Sequence, residues 1–108
     1  MELPIYQVDA FTSQVFGGNP AAVVPLEAWL YDELLQSIAA ENNLSETAFV
    51  NIALNPFYIR WFTPESEMGL CGHATLASAR ILFDEYLEKG SSEIIFQANR
   101  GQLKAIKK

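Results

Sequence analysis

The sequence predicts an α/β fold with the element order ββαββαββ, and two observations indicate it. Short segments with alternating hydrophobic residues, typical of strands, recur along the chain, and two longer segments repeat hydrophobic residues at helical spacing. Half of the residues are hydrophobic, which excludes a disordered chain. The predicted strands are 4–11, 21–24, 45–52, 57–62, 92–98 and 102–106, the last two forming a hairpin around 99–101, and the predicted helices are 32–42 and 72–87.

The first predicted helix has a single hydrophobic stripe. Leu34, Leu35, Ile38 and Ala39 share one face at helical spacing, as expected for a helix that packs on a sheet. The Asn pair at 42–43 predicts its end, because asparagine tolerates the left-handed conformation that commonly terminates helices.

The rest of the core is predicted to come from the second helix and an aromatic strand. Residues 74–79 are small or apolar on every side of the helix, a pattern typical of a buried helix with close neighbours. Tyr58, Trp61 and Phe62 are expected in the core because of their strand spacing.

The other strands are assigned by alternation and by breakers. Tyr6, Val8 and Ala10 are predicted to share one face of the first strand. Pro25 is predicted to stop the second strand, and residues 63–70 are predicted to form a loop.

Composition excludes several classes of function. With 108 residues we expect one domain, residues 1–108. The formal charge of −6 argues against nucleic acid and anionic membrane as partners. Cys71 is the sole cysteine, so no internal disulfide can form, which suits a reducing cytosol. Residues 1–4 have no basic start and no apolar run, and no apolar segment is long enough to cross a bilayer, so we expect a cytoplasmic protein.

Glu46 is the first candidate functional residue. The residues that alternate with it in the strand are Ala48, Val50 and Ile52, so a carboxylate begins an otherwise apolar face. Loss of solvation makes such a carboxylate suited to general acid/base catalysis. The alternative is a carboxylate at a strand end that turns to solvent.

The second candidate is the tripeptide Cys71-Gly72-His73, where a loop meets the start of the second helix. Free backbone N–H groups at a helix N-terminus bind anions, and glycine allows a ligand to approach closely. The same positive end should favour a thiolate on Cys71 and a neutral imidazole on His73. The alternative is a packed cysteine followed by a histidine that caps the helix.

The third candidate is Gly17-Gly18-Asn19-Pro20, whose glycine pair can form a backbone cradle for a small carboxylate. More often such a segment is only a turn. We expect no metal site, because such a site needs two or three convergent His or Cys ligands and the chain has one of each. Glu41, Glu65 and Glu67 are expected in solvent.

Five segments together resemble the PhzF-like family of phenazine-biosynthesis isomerases in order and spacing. They are VDAF at 8–11, FGGNPAAV at 16–23, NLSETAF at 43–49, RWFTP at 60–64 and LCGHATL at 70–76. The family shares its fold with diaminopimelate epimerase, which has two similar halves, each a curved, mostly antiparallel sheet wrapped round a central helix. The resemblance implies that this chain is the N-terminal half, that the helix from Gly72 is the central helix, and that the active site lies between the halves.

The resemblance also assigns roles to residues. Glu46 would be the general acid/base and His73 its polar partner. Asn19 and Gly18 would line the substrate pocket, and the amides of Gly72 and His73 would hold a substrate carboxylate. The reaction would be a proton shift on a small carboxylate metabolite, with no cofactor.

Two further expectations concern Cys71 and the missing half. In the epimerase relatives a cysteine in the place of Cys71 acts as a base with a second cysteine, which this chain lacks, so here Cys71 would only contact substrate. Either the sequence is a truncated part of a longer chain, or it is a natural half-length protein whose second half comes from a separate C-terminal chain or from a second copy in a homodimer. The alternatives are a carboxylate-binding module without turnover and a structural remnant that pairs with another half.

Overall fold

The computed structural model describes residues 2–8 and 20–107. The strands are β1 (Tyr6–Val8), β2 (Ala21–Leu26), β3 (Glu46–Asn51), β4 (Phe57–Phe62), β5 (Glu67–Met68), β6 (Glu93–Ala98) and β7 (Gly101–Ile106). The helices are α1 (Asp32–Asn42) and α2 (Gly72–Ile81), and a π-helical turn (Leu82–Tyr86) continues α2. The predicted α/β class is confirmed, with β5 as an additional strand.

The described strands form one mixed sheet in the order β1-β2-β3-β4-β6-β7, and β5 pairs with β4 beside this path. The pairs β2–β3 and β4–β6 are parallel, and the other pairs are antiparallel. The sheet is therefore mostly antiparallel, as predicted. Helix α2 contacts β2 and β3 and also β7 at the far edge, so the sheet curls around this helix.

The sheet has a hydrophobic core on each face. On one face Ala48 and Val50 of β3 pack with Ala74 and Ala77 of α2. On the other face the stripe of α1 packs in a second cluster, whose buried members are Val24, Leu26, Leu35, Ala39, Phe49 and Phe62. Because side chains alternate along a strand, Glu46 lies on the α2 face with Ala48 and Val50.

The prediction for α1 is confirmed in its range and its buried face. Leu35 and Ala39 are buried, and Leu34 and Ile38 are partly buried. Asn43 adopts the left-handed conformation with φ of 51° and donates its backbone N–H to Ala39, which ends the helix.

Three predicted boundaries were wrong. Strand β2 continues through Pro25 to Leu26 because β1 pairs only as far as Val23, so the proline lies where β2 has β3 alone as a neighbour. Predicted loop 63–70 contains β5, which pairs with Trp61 and Phe62. The second helix is α-helical only to Ile81.

Two burial predictions also need correction. Tyr58 is exposed, because the α1 cluster that buries Phe62 on the same face of β4 does not reach it, whereas Trp61 and Phe62 are buried as predicted. Helix α2 is not buried all round, since Leu76 is 52% exposed. In the first strand Val8 is buried and Tyr6 partly buried, and Ala10 lies outside the described residues.

In the part of the chain that the structure describes, neither helix is long and apolar enough to cross a bilayer.

Candidate functional site

Glu46 is the first residue of β3 and is fixed there from two sides. It pairs in parallel register with Ala21, the first residue of β2. The next residue, Thr47, is fully buried and accepts a hydrogen bond of 3.3 Å from Asn42 Nδ2 at the end of α1. The Glu46 side chain is 13% exposed. The alternative, in which the Glu46 carboxylate turns to solvent, is therefore wrong.

Cys71 and His73 are placed by the start of α2. Cys71 is the N-cap in an extended conformation. Its carbonyl accepts two hydrogen bonds from Thr75, one from the backbone N–H at 3.1 Å and one from the side-chain hydroxyl at 2.8 Å. His73 follows in the first helical turn, with its side chain 28% exposed.

A buried hydrogen-bond chain joins this helix start to the sheet. Trp61 Nε1 of β4 donates to Thr75 Oγ1 at 3.0 Å, and Thr75 Oγ1 donates to the Cys71 carbonyl. Because each polar atom in this apolar region needs its partner, the chain fixes the first turn of α2 against β4. The positioning role of Trp61 and Thr75 was not predicted from the sequence. The signal was an indole N–H in a predicted core strand, which needs an acceptor when buried.

These elements bring Glu46 and His73 together. Glu46 Oε2 lies 3.2 Å from His73 Nε2. The two atoms are not aligned for a hydrogen bond, and both are buried without a hydrogen-bond partner among the described residues. Two buried polar atoms that face each other without pairing leave hydrogen-bonding capacity that a ligand can use.

Cys71 completes the group. Its Sγ lies 3.8 Å from His73 Nδ1, and the residue is 6% exposed. Burial raises the pKa of the Cys71 thiol, and the negative charge of Glu46 raises it further, whereas the backbone N–H groups of Ala74 and His73 oppose the shift. The expectation of a thiolate at this helix N-terminus was therefore wrong, because desolvation outweighs the helix end.

Gly72 faces open space, since a Cβ built on it would meet no atom within 4 Å among the described residues. Its φ is not positive either. The fold of the described residues therefore does not require glycine here. The other predicted pocket residues, Gly18 and Asn19, lie outside the described residues.

Of the carboxylates expected in solvent, Glu41 and Glu65 are exposed. Glu67 is exposed as well and also accepts two hydrogen bonds of 2.8 Å from Arg60. A groove of ≈ 410 Å³ between β4 and β6, beside Phe57, Leu87 and Ile94, contains no comparable group of titratable side chains. The cluster of Glu46, Cys71 and His73 is thus the best candidate site in the described part of the chain. It joins a carboxylate to an imidazole, the two groups most used to move protons.

Comparison with known proteins identifies the family of the chain. The family profile of phenazine biosynthesis-like proteins (PhzC–PhzF) matches residues 8–108. An uncharacterized isomerase of Pseudomonas aeruginosa is 56% identical over 95% of this chain, which spans 39% of that protein. The crystal structure of a PhzF-family phenazine biosynthesis protein from Enterococcus faecalis superposes with a TM-score of 0.91 at 51% identity, covering 100% of this chain and 41% of that one.

A more distant solved structure, a predicted epimerase from P. aeruginosa, matches with a TM-score of 0.76 at 26% identity, over 99% of this chain and 39% of that protein. The predicted half of an epimerase-like fold is therefore confirmed. The chain spans about two fifths of the length of these relatives.

Proposed function

Because the chain belongs to the PhzC–PhzF family of phenazine biosynthesis-like proteins, whose relatives include proteins named as isomerases, we propose that it forms one wall of an isomerase active site. In this proposal the reaction is a cofactor-independent proton shift on a small carboxylate metabolite. Glu46 is the general acid/base and His73 is its polar partner.

The observation that carries the proposal is the unpaired contact between Glu46 Oε2 and His73 Nε2 at 3.2 Å. A structural ion pair would be aligned to recover the cost of desolvating both groups. These atoms are close enough to exchange a proton through small rotations of their side chains, and neither of the two atoms has a hydrogen-bond partner within residues 2–8 and 20–107. Glu46 would take a proton from a substrate carbon and return it at another, with His73 relaying it or holding the substrate.

The assignment of the base to Glu46 rather than to Cys71 has its own support. Burial raises the pKa of the Cys71 thiol, so the thiol stays protonated at neutral pH and is a poor base. Cys71 would then contact substrate without taking its proton.

Substrate binding is proposed at the start of α2. The amides of Gly72 and His73 would hold the substrate carboxylate, because the N-terminal end of a helix is positive and its first N–H groups have no partner within the helix. Gly18 and Asn19 would line the same pocket.

Turnover is tested by solvent exchange. The chain is mixed with a separately expressed C-terminal part of the 56% identical P. aeruginosa relative and incubated in D₂O with a panel of small carboxylates. Proton NMR should show loss of a carbon-bound proton in at least one compound without added cofactor. Glu46→Gln should abolish the exchange, whereas Glu41→Gln, at an exposed carboxylate of α1, should retain it. Exchange that survives Glu46→Gln would refute the role of Glu46.

A carboxylate-binding module without turnover is the second candidate, favoured by the open space at Gly72. In this case acetate would shift the backbone amide signals of Gly72 and His73 in a nitrogen–proton NMR titration, and no compound would exchange protons. Shifts confined to the exposed Lys104 and Lys107 would contradict binding at the helix start.

The proposed partner is a second half, supplied by a separate chain or by a second copy. Leu76 of α2 and Ile106 of β7 are 52% and 59% exposed, and both line one groove of ≈ 360 Å³ with Phe83. Exposed apolar surface of this kind favours association. Light scattering across a dilution series should show a dimer of the isolated chain, and a folded monomer at every concentration would refute the homodimer.

A further inference from the structure

The cluster at the start of β3 and α2 offers one ligand atom each from a carboxylate, a thiol and an imidazole. One oxygen of Glu46, the Sγ of Cys71 and one ring nitrogen of His73 all lie within 4.8 Å of one another. Two of the groups also present unpaired buried atoms, Glu46 Oε2 and His73 Nε2. The expectation of no metal site counted only His and Cys ligands and did not include Glu46.

The distances suit a tetrahedral ion. Zinc binds cysteine sulfur at roughly 2.3 Å and histidine nitrogen or carboxylate oxygen at roughly 2.0–2.2 Å, so tetrahedral ligands lie about 3.3–3.7 Å apart. Glu46 Oε2 and His73 Nε2 are already 3.2 Å apart. The longest separation in the cluster has to close by about 1 Å, which rotation of the Cys71 and His73 side chains can supply.

The ligand set also favours zinc over the hard cations. Magnesium and calcium take oxygen ligands and form no strong bonds with thiolate, whereas zinc accepts sulfur, nitrogen and oxygen together. A site with three protein ligands keeps its fourth position open, the arrangement found when an ion also binds water or a small anion. His73 is partly exposed, which gives an ion a route into the cluster.

We propose that Glu46, Cys71 and His73 form a three-ligand Zn²⁺ site, and that the bound ion switches off the proton transfer assigned above to the same residues. Binding replaces the thiol proton of Cys71 with zinc and releases that proton to solvent. The ion also binds one carboxylate oxygen of Glu46 and one ring nitrogen of His73, so neither side chain is free to rotate and move a proton. The inhibitory part rests on the proposed function, whereas the ion site does not.

Metal binding by the isolated chain is tested with Co²⁺, whose bond to thiolate gives a charge-transfer absorption in the near ultraviolet, followed by displacement with Zn²⁺. The wild-type chain should show the band and lose it when Zn²⁺ is added. Cys71→Ser should remove the band. Glu46→Gln and His73→Gln should weaken zinc binding by more than the roughly 10–100-fold that loss of an outer partner costs. Glu41→Gln is the matched control and should leave the affinity unchanged.

A missing band in the wild-type chain would overturn the site. So would unchanged zinc affinity in both Glu46→Gln and His73→Gln, because the metal would then be held by Cys71 with residues other than these two. Circular dichroism of each variant separates lost binding from lost folding, and Cys71→Ala provides a second test of the thiol if the serine variant unfolds.

The inhibitory part is tested in the D₂O exchange mixture. Zn²⁺ should stop the exchange and a chelator should restore it, whereas exchange that continues in saturating zinc would overturn the inhibition. If no compound exchanges at all, the proposed function fails together with the inhibition that depends on it, and the cobalt titration still decides the metal site.

Discussion

The helices α1 and α2 are similar in length, with 11 and 10 residues, yet they contribute differently to the molecule. Helix α1 binds the sheet through a stripe of large side chains, with Leu35 fully buried among Phe49 and Phe62. Helix α2 presents small residues instead, with Ala74 and Ala77 fully buried against the opposite face. Large side chains hold α1 at a distance from the strands, whereas small ones let the backbone of α2 approach them closely.

This difference explains why the candidate site lies at α2. The close approach brings the first turn of α2 beside the start of β3, where it places His73 next to Glu46. The hydrogen bonds from Trp61 to Thr75 and from Thr75 to Cys71 fix that turn. The hydrophobic stripe of α1 should therefore affect stability alone, whereas changes in α2 should affect the site as well.

The largest expected effect on stability is from Leu35→Ala in α1. Removing a fully buried leucine side chain should lower the free energy of unfolding by about 2–5 kcal/mol. Urea unfolding measures this loss, and Leu34→Ala, at a partly buried neighbour, should cost less. The NMR signals of the His73 ring should not move, because Leu35 lies on the opposite face of the sheet. A shifted His73 ring signal in the folded Leu35→Ala variant would contradict the claim that the stripe of α1 affects stability without affecting the site.

Thr75→Val in α2 should cost about 1–3 kcal/mol, because it keeps the shape of the side chain but leaves the buried Trp61 N–H without an acceptor. Unlike Leu35→Ala, this change should also move the His73 ring signals, since Thr75 anchors the helix start. Thr75→Ser keeps the hydroxyl and is the matched control. Equal behaviour of the two variants would show that the hydrogen-bond chain does not position the site.

Gly72→Ala should have a small stabilising effect of about 0.4–1 kcal/mol, because the position is compatible with alanine and the unfolded chain loses freedom. The added methyl group would lie where the carboxylate is proposed to approach, so acetate binding at the start of α2 should weaken. Thermal unfolding and the acetate titration measure the two effects. Lower stability together with unchanged acetate binding would mean that Gly72 is required for folding and does not contribute to the anion site.

The site should also lower the reactivity of the Cys71 thiol towards alkylating agents. Burial raises the pKa of this thiol above its ordinary value of 9.0, and Glu46 adds to the shift. Alkylation by iodoacetamide should therefore be slow at neutral pH and should keep rising above pH 9. Glu46→Gln removes the second cause and should move the rise to lower pH, whereas Glu41→Gln should not. Because the folded state holds this proton more tightly, its contribution to stability is present at low pH and is lost as pH rises through the raised value.

Much of the fold could be predicted because local signals were strong. The hydrophobic stripe and the terminal asparagines predicted the bounds of α1. The alternation of residues in 57–62 predicted the bounds of β4. Pro25, β5 and Leu76 were mispredicted for reasons that lie in distant contacts. Pro25 is tolerated in β2 because β1 is too short to pair with that residue. Strand β5 forms because Glu67 and Met68 pair with β4. Leu76 is exposed because the sheet does not extend over it.

The proximity of Glu46 to His73 was predictable, whereas the chemistry of their contact was not, and Gly18 and Asn19 lie outside the described residues. Strand alternation predicted that Glu46 begins an apolar face, and the family resemblance predicted that it lies near His73. The misaligned contact between Glu46 and His73 could not be predicted from the sequence. Nor could the raised pKa of the Cys71 thiol, where the effect of desolvation outweighs that of the helix N-terminus. Both depend on distances of a few ångströms between elements that are far apart in sequence.

The most direct test uses His73, which is the sole histidine of the chain, so its ring signals need no assignment. The account predicts that Glu46→Gln shifts the carbon–proton and nitrogen signals of the His73 ring, because the substituted side chain lies 3.2 Å from Nε2. Glu41→Gln should leave them in place, and adding a substrate-like carboxylate should move them in the wild-type chain. Ring signals that are the same in Glu46→Gln and in the wild-type chain would contradict the central claim that β3 and α2 join these two residues in one site.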